Sequence, residues 1–426
     1  MAYRWVILGV GILAYATSQF ARQNYAGVQK FMAADLDLDK AALGLLGSVF
    51  FYSYALCQMP WGMASDRFGS RSVTGLGILI TAGAMFGFAT GQTEGALIGW
   101  RVVSGIGGAA VYVAMVGGMA RWFPKSERGF SQSALGGVGG GLGESAAYFL
   151  MPLISIYMVS GWRQATTSMA VALVGMGLLC LVFLRSDPPV DTAGPAEPDG
   201  PFDWTLLRDP LLWCYTFLFS AFIIAIRVIQ PWIAVYAADV YIARYGMDVN
   251  AAVMGAGTLV IVAYSLLGRA VGCPLAGKLS DVLLRRGVSR PLVAIGWLLL
   301  SVVLLQLLSA ELSTTWGLAV VSVLLGTSVN LFTLIAAAVS ESYGARKAAS
   351  IVSFVNMVAQ VSGATALAAS GYVGISLSTQ VGQGLSEYRG IWLTAMVAVS
   401  VYTVVGSGIY MALVGRWLTA RPRPAE

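Results

Sequence analysis

The chain has 426 residues, of which 57% are hydrophobic and only 11% are charged. Because a soluble domain carries about 25% charged residues, this composition excludes a soluble globular protein and indicates an integral membrane protein. The 26 basic residues outnumber the 20 acidic ones. Cytoplasmic loops of membrane proteins carry an excess of lysine and arginine, so this positive charge does not imply a nucleic-acid partner. The sequence has no histidine, which excludes imidazole ligands and a Ser-His-Asp site. We expect no enzyme, no metal and no cofactor.

Long apolar segments recur along the whole chain. A membrane-spanning helix needs about 20 apolar residues, whereas barrel strands are shorter and alternate in polarity. The pattern therefore predicts an all-α membrane protein with twelve transmembrane helices. The predicted segments cover residues 5–29, 42–64, 72–91, 95–121, 130–156, 162–184, 210–237, 250–277, 290–309, 315–339, 348–373 and 391–416.

The first and seventh segments each hold an arginine at mid-membrane depth, Arg22 and Arg227. A guanidinium keeps its charge in proteins, and a charge at the bilayer centre costs about 3 kcal/mol or more, so such a residue faces a cavity or a partner. The planar guanidinium also binds carboxylate or phosphate through two parallel hydrogen bonds. The pair therefore predicts a central binding site for a small anion.

The two halves of the chain repeat one another. GMASDRFGSR follows the second segment at residues 62–71, and GKLSDVLLRR follows the eighth at residues 277–286. Between the halves, residues 186–209 are rich in Asp, Pro and Gly, which is typical of a linker. The repeat predicts two pseudo-symmetric six-helix bundles, residues 1–185 and 210–426, joined by a cytoplasmic linker at 186–209.

The GxxxDRxGxR pattern of the first repeat resembles the major facilitator superfamily, and the resemblance extends over the whole chain. It implies the two-bundle fold of that superfamily and secondary transport by alternating access. In that family the charged residues of this loop form a latch between conformations. The matching positions here are Gly62, Asp66, Arg67, Gly69, Arg71, Asp281 and Arg285.

Two further motifs resemble the organophosphate:phosphate antiporters and the anion:cation symporters. The stretch FARQNYA, at residues 20–26, is similar to the RxN element of their first helix. Arg227, followed by Pro231, Trp232 and Tyr236, is similar to the seventh-helix arginine and WxPxY region of the antiporters. The resemblance implies that Arg22 and Arg227 grip the phosphate or carboxylate of the substrate.

Glu144 is the one acidic residue near the middle of a predicted segment, and it follows a glycine-rich run in segment five. The glycines predict close helix packing, and they also resemble the fifth helix of nitrate and nitrite porters. Glu144 has two possible coupling roles: it neutralises an arginine when the site is empty, or it carries a proton with the substrate. The sequence leaves both roles open.

Other polar and aromatic residues at similar depth are candidates for substrate contacts. Arg101 belongs to a fourth-segment stretch that resembles the RxxxGxG element of the superfamily, and Arg269 lies in segment eight. The full set of predicted substrate-binding residues besides Arg22 and Arg227 is Tyr25, Arg101, Tyr148, Gln230, Trp232, Arg269, Asn330, Asn356 and Gln360.

The loops also predict the orientation. Basic residues such as Arg67, Arg71, Lys125 and Arg285 concentrate on one side, which places both termini in the cytoplasm. We expect a monomer that crosses the plasma (inner) membrane many times.

The predicted function is secondary active transport of a small organic anion, coupled to protons or to a counter-anion. A membrane-bound ligand sensor on the same fold, a nitrate or nitrite porter and a drug efflux pump are alternatives. Four intramembrane arginines against one glutamate disfavour the efflux pump, whose typical substrates are cations.

Overall fold

Helices form almost all of the described chain. The computed structural model describes residues 3–123, 131, 134–158, 161–186, 204–310, 314–343, 345–381 and 385–420. Within these ranges there are twelve long helices and no strand, and they correspond one to one with the predicted segments. In chain order they are Tyr3–Leu36 (α1), 40–68 (α2), 70–90 (α3), Glu94–Trp122 (α4), 134–158 (α5), Trp162–Phe183 (α6), Pro210–Tyr245 (α7), Val249–Arg285 (α8), Arg290–Ser309 (α9), Thr315–Tyr343 (α10), Ala345–Val381 (α11) and Ser386–Ala420 (α12).

Ten of these helices are long and apolar enough to cross a membrane, judged over the described residues. The other two are α1 and α5, which carry Arg22 and Glu144 at mid-length. Buried polar residues such as Gln19, Gln23 and Asn24 lower the hydropathy of α1 further. Both helices thus contribute a charged residue to the centre of the protein, as α7 does with Arg227.

Acidic and hydroxyl side chains cap the N-termini of several helices. The Oδ1 atom of Asp39 accepts from Ala42 N at 2.8 Å before α2, and the Oδ1 atom of Asp209 accepts from Leu211 N at 2.8 Å before α7. Such caps satisfy backbone N–H groups that have no partner within the helix. Residues 187–203 of the predicted linker lie outside the described residues, and residues 204–208 form a short 3₁₀-helix that leads into α7.

A glycine separates α2 from α3. Gly69 has φ +80°, a conformation that other residues rarely adopt. A Cβ atom there would also overlap the side chain of Ser186, which accepts from the Arg71 backbone N–H at 3.4 Å. Gly69 therefore allows a sharp turn in the middle of the predicted latch. The latch prediction depends on the side chains of Asp66 and Asp281. The structure describes only the backbone of these two residues, so the latch stays a prediction.

The two halves meet through symmetry-related helix pairs. Helix α2 contacts α11, α5 contacts α8, and α1 contacts α7. At the first crossing the backbones of Gly44 and Gly371 approach closely, and at the second Gly257 lies against the carbonyl of Tyr148. These interfaces surround the centre of the molecule, where α1 and α7 bring their arginines.

The glycine-rich run in α5 allows close packing, as predicted. A Cβ atom on Gly143 would overlap the carbonyl oxygen of Ala16 in α1 and would lie 2.8 Å from Gln19 Cβ. Gly141, in the same helix, has nothing within 4 Å of the position that its Cβ would take. Only part of the run therefore serves the α1–α5 contact.

We expect Gly143→Ala to lower the free energy of unfolding by roughly 1–3 kcal/mol, because α1 and α5 must separate to admit the methyl group. The matched control Gly141→Ala should leave stability unchanged or raise it slightly, since alanine favours helix. Thermal melting of the purified variants in detergent measures both effects. Equal melting temperatures for the two variants would contradict this account of the packing.

Candidate functional site

The predicted arginine pair lines a single cavity between the halves of the protein. In this conformation the free space of the cavity is about that of one water molecule, and both Arg22 of α1 and Arg227 of α7 contribute to its wall. Five predicted substrate-binding residues are among the lining residues, which are Arg22, Gln23, Tyr25, Ala26, Gly47, Phe51, Arg101, Arg227, Gln230, Pro231 and Leu367. The guanidinium groups of the two halves, Arg22 from the first and Arg227 from the second, thus line the same cavity.

Arg227 is firmly held, and none of the contacts that hold it neutralises its charge. Its Nε and Nη2 atoms donate to the Gln360 Oε1 atom at 3.0 and 2.9 Å, and its guanidinium carbon lies 4.0 Å from the centre of the Phe51 ring. The side chain is 5% exposed. Within the described residues, Arg227 forms no ion pair with a carboxylate.

Arg22 has still fewer partners. It is half-buried, and its Nε atom is buried without a hydrogen-bond acceptor. Neither an ion pair nor a side-chain hydrogen bond satisfies its guanidinium among the residues that the structure describes. A buried donor without an acceptor is costly, more so when the group is charged. The cavity therefore offers unneutralised positive charge and unused donors, which is what an anion requires.

Glu144 pairs with a third arginine. Its Oε2 atom accepts from Arg269 Nη1 at 2.5 Å, and its Oε1 atom accepts from Gln230 Nε2 at 2.7 Å. Gln230 in turn accepts from Gln23 Nε2 at 3.0 Å, and its backbone carbonyl accepts from the Tyr148 hydroxyl at 2.6 Å. These contacts join α1 and α5 of one half to α7 and α8 of the other. Glu144 therefore neutralises Arg269 and leaves Arg22 and Arg227 uncompensated.

Arg101 has a largely structural environment. Its Nε atom donates to the Leu46 carbonyl at 3.0 Å, and its guanidinium lies over the rings of Tyr25 and Phe50 at 4.9 and 4.7 Å. The Tyr25 hydroxyl donates to the Leu43 carbonyl. Both residues still form part of the cavity wall. Arg101 thus adds a third positive charge to the cavity while it ties α4 to α2.

The remaining predicted residues form hydrogen bonds within the C-terminal half. Trp232 Nε1 donates to Ser370 Oγ at 3.1 Å. Asn330 Nδ2 donates to the Gly326 carbonyl at 2.8 Å, inside α10. Asn356 accepts from Gln360 Nε2 at 3.2 Å. None of these residues is part of the cavity wall described above.

Of the six lining residues that were not predicted from the sequence, Gln23 and Phe51 contact predicted ones. Gln23 lies directly after Arg22 in the FARQNYA motif, so the motif itself pointed to it. Phe51 covers the Arg227 guanidinium from the opposite half. An aromatic residue in an apolar segment carries no sequence signal of such a role, because most of them pack against neighbours or lipid.

The halves are in contact at one end of the molecule. Lys30 of α1 forms an ion pair with Asp239 of α7, and Asp239 Oδ2 accepts from the Tyr388 hydroxyl at 2.6 Å. Lys40 lies 4.0 Å from the centre of the Tyr388 ring. The side-chain hydrogen bonds between the halves, as far as the description extends, lie at the level of the arginines or between them and this end.

The sequence is similar to a known family and to several membrane proteins. A sequence model of the Major Facilitator Superfamily matches residues 11–367. The chain is 26% identical over 306 residues to the probable sulfoacetate transporter SauU of Cupriavidus necator, with 66% of each chain aligned. It is 28% identical over 183 residues to a probable hexose phosphate transport protein of Chlamydia pneumoniae, over 41% of this chain and 38% of the other. The membrane sensor protein UhpC of Salmonella typhimurium is 25% identical over 178 residues, which cover 41% of this chain and 39% of that protein.

Solved structures share the fold. A bacterial homologue of the human lysosomal transporter Spinster, in an inward-facing and unoccupied conformation, superposes with a TM-score of 0.76 over 99% of both chains at 17% identity. The nucleoside transporter NupG superposes with a TM-score of 0.69 at 13% identity, over 96% of this chain and 99% of that one. The chain spans two thirds or less of the length of the curated relatives named above, so their substrates are not transferred to it directly.

Proposed function

The chain belongs to the Major Facilitator Superfamily, and on that premise we propose that it is a secondary active transporter of a small organic anion. The observation that carries the proposal is the pair Arg22 and Arg227. One comes from each bundle, both line the same cavity, and neither has a carboxylate partner in the described part of the chain.

An anion between the two arginines links binding to movement. In the empty protein the two guanidinium groups repel each other across the cavity, and a bound carboxylate, sulfonate or phosphate accepts hydrogen bonds from both. The anion then draws the bundles together, so the loaded and the empty protein differ in how easily they change conformation. In the conformation described here the bundles already touch at the Lys30–Asp239 end. The predicted orientation makes this the external end.

The relatives indicate which anions to test. Their names specify sulfoacetate and hexose phosphate, and a further relative is the probable galactarate/D-glucarate transporter GudP of Bacillus subtilis, 27% identical over 43% of this chain. All of these are small molecules with one or two acidic groups, which suits the positive charge of Arg22 and Arg227, supplemented by that of Arg101. The proposed substrate is therefore an organic anion of this size, either a carboxylate, a sulfonate or a phosphate ester.

The proposal includes the topology predicted above. Residues 1–185 form the first bundle, 186–209 a cytoplasmic linker and 210–426 the second bundle, in a monomer with both termini in the cytoplasm of the plasma membrane. Coupling is by anion exchange or by proton symport. Glu144, Arg269 and the latch residues around Gly69 are the proposed groups that respond to binding.

A thermal-shift screen of the purified protein tests the substrate class. Sulfoacetate, a hexose phosphate, D-glucarate, nitrate and a cationic drug are each added over a range of concentrations. A ligand at 100 times its Kd adds about 2.7 kcal/mol to the free energy of unfolding. We expect organic anions to raise the melting temperature by several degrees and the cationic drug to have no effect. Stabilisation by the cation alone would refute the anion site.

Uptake of the stabilising anion into proteoliposomes then tests transport. A preloaded counter-anion that accelerates uptake indicates exchange, and a pH gradient that drives accumulation indicates proton symport. The relative named as a membrane sensor makes a ligand receptor the second candidate. Stabilisation by an anion without any uptake or exchange would favour that receptor over the transporter.

A further inference from the structure

Arg227 is held from three sides, and each contact uses a different part of the residue. Gln360 of α11 contacts the edge formed by Nε and Nη2, and Phe51 of α2 covers one face. A Cβ atom on Gly363, one turn after Gln360, would lie 2.8 Å from Arg227 Cγ, so the glycine makes room for the aliphatic stem. The Nη1 atom has no protein acceptor among the described residues, and the residue lines the cavity.

The contact with Gln360 engages the same edge of the guanidinium that would bind an acid. Two guanidinium N–H groups converge on the single amide oxygen of Gln360, whereas a carboxylate would offer them two oxygens. Because a guanidinium can only donate, the amide must present its oxygen to Arg227, and its Nε2 atom donates to Asn356 Oδ1 at 3.2 Å. The hydrogen bonds of Gln360 therefore fix the direction of the Arg227 fork.

The side chain that accepts these bonds decides the charge of the site. Glutamate has the same length as glutamine and would accept the same two hydrogen bonds, but its negative charge would neutralise Arg227. The structure contains such a neutralised arginine close by, in the pair of Arg269 with Glu144. Glutamine orients the guanidinium and contributes no charge.

We infer that Gln360 is a positioning residue, which orients Arg227 for a transported anion and keeps the charge of Arg227 available because it is a neutral amide. This inference rests on the proposed function. It assigns part of the anion specificity to a residue that acts through Arg227 and does not itself contact the anion. It also explains why Arg227 still contributes positive charge to the cavity although two of its nitrogen atoms already donate hydrogen bonds to Gln360.

The variant Gln360→Glu tests the inference against simple structural support. If Gln360 only held the Arg227 rotamer, glutamate would do so at least as well, and anion binding would be unchanged or stronger. We expect the opposite, a loss of affinity for sulfoacetate and glucose 6-phosphate of about 100-fold or more, because the added charge competes for Arg227. Gln360→Met, of similar shape but with only a weakly accepting thioether sulfur, should lose about 10-fold or less, since Arg227 keeps its charge.

Thermal-shift titration of the full-length variants in detergent gives the order of affinities, and size-exclusion chromatography confirms that each is folded. The expected order is wild type, then Gln360→Met, then Gln360→Glu. Binding by Gln360→Glu as tight as that of Gln360→Met would overturn the inference. If the wild-type protein binds neither probe, the proposed function fails first, which distinguishes the two failures.

An exchanged pair keeps the test decisive if Gln360→Glu does not fold. In the double variant Arg227→Gln and Gln360→Arg, the guanidinium moves to α11 and the amide to α7. The charge of the cavity is preserved, so we expect tighter binding of both probes than in Arg227→Gln alone, by about 10-fold. An affinity no better than that of the single variant would contradict the charge argument.

Discussion

Replacement of Arg22 or Arg227 by glutamine should weaken anion binding by about 100-fold or more, because removing one partner of a buried, hydrogen-bonded charge pair costs about 2–5 kcal/mol. The two variants should differ in stability. Arg22 has a buried Nε atom without an acceptor and a like charge across the cavity. Arg22→Gln removes both costs, so the empty variant should melt at a higher temperature than the wild type. Arg227→Gln loses the hydrogen bonds to Gln360 and the contact with Phe51, so it should melt lower.

Melting temperatures with and without anion, together with uptake into proteoliposomes, measure both effects. Arg22→Lys keeps the charge but not the planar fork, so we expect an intermediate loss of about 10-fold. Arg244→Gln is the matched control, because Arg244 is an exposed residue at the end of α7, the helix that carries Arg227. It should transport normally. Unchanged anion affinity in both Arg22→Gln and Arg227→Gln would show that the site lies elsewhere.

The depth of a charge in an apolar segment was the most informative part of the sequence. Arg22 and Arg227 could be predicted to share a cavity because a guanidinium in a membrane must avoid lipid, whatever the details of packing. The twelve helices were predictable for a similar reason, since the bilayer sets their length and composition. Both inferences depend on the solvent and require no knowledge of which helices touch.

Partner choice could not be predicted in this way. The sequence left open whether Glu144 neutralises an arginine or carries a proton, and it did not indicate which arginine is near; the structure pairs it with Arg269. That choice depends on the contact between α5 and α8, and both helices contain wide π-helical turns, at residues 134–139, 154–158 and 260–272. Such turns change which side chains face the neighbouring helix, and no periodic pattern in the sequence announces them. The contact of Gln360 with Arg227 is equally a product of tertiary packing.

Removing the charge of Glu144 should raise the affinity for the anion and lower the rate of its exchange across the membrane. In Glu144→Gln the Arg269 guanidinium loses its counter-charge while the hydrogen bond to Gln230 can persist. The cavity region gains one uncompensated positive charge, so we expect the anion to bind about 10-fold more tightly. Exchange across the membrane should slow by about 10-fold or more, because the bundles lose an ion pair that joins α5 to α8 and the anion leaves more slowly.

The double variant Glu144→Gln with Arg269→Gln restores the original net charge and should recover much of the exchange rate. Equilibrium binding and counter-anion exchange in proteoliposomes, measured on the three proteins, give the two halves of the prediction. A proton carrier at this position predicts a different outcome, since Glu144→Gln would then abolish pH-driven accumulation and leave exchange and affinity intact. A rise in anion affinity in Glu144→Gln would therefore identify Glu144 as an internal counter-ion whose role ends when the substrate binds. Unchanged affinity with loss of pH-driven accumulation would identify it as a proton carrier.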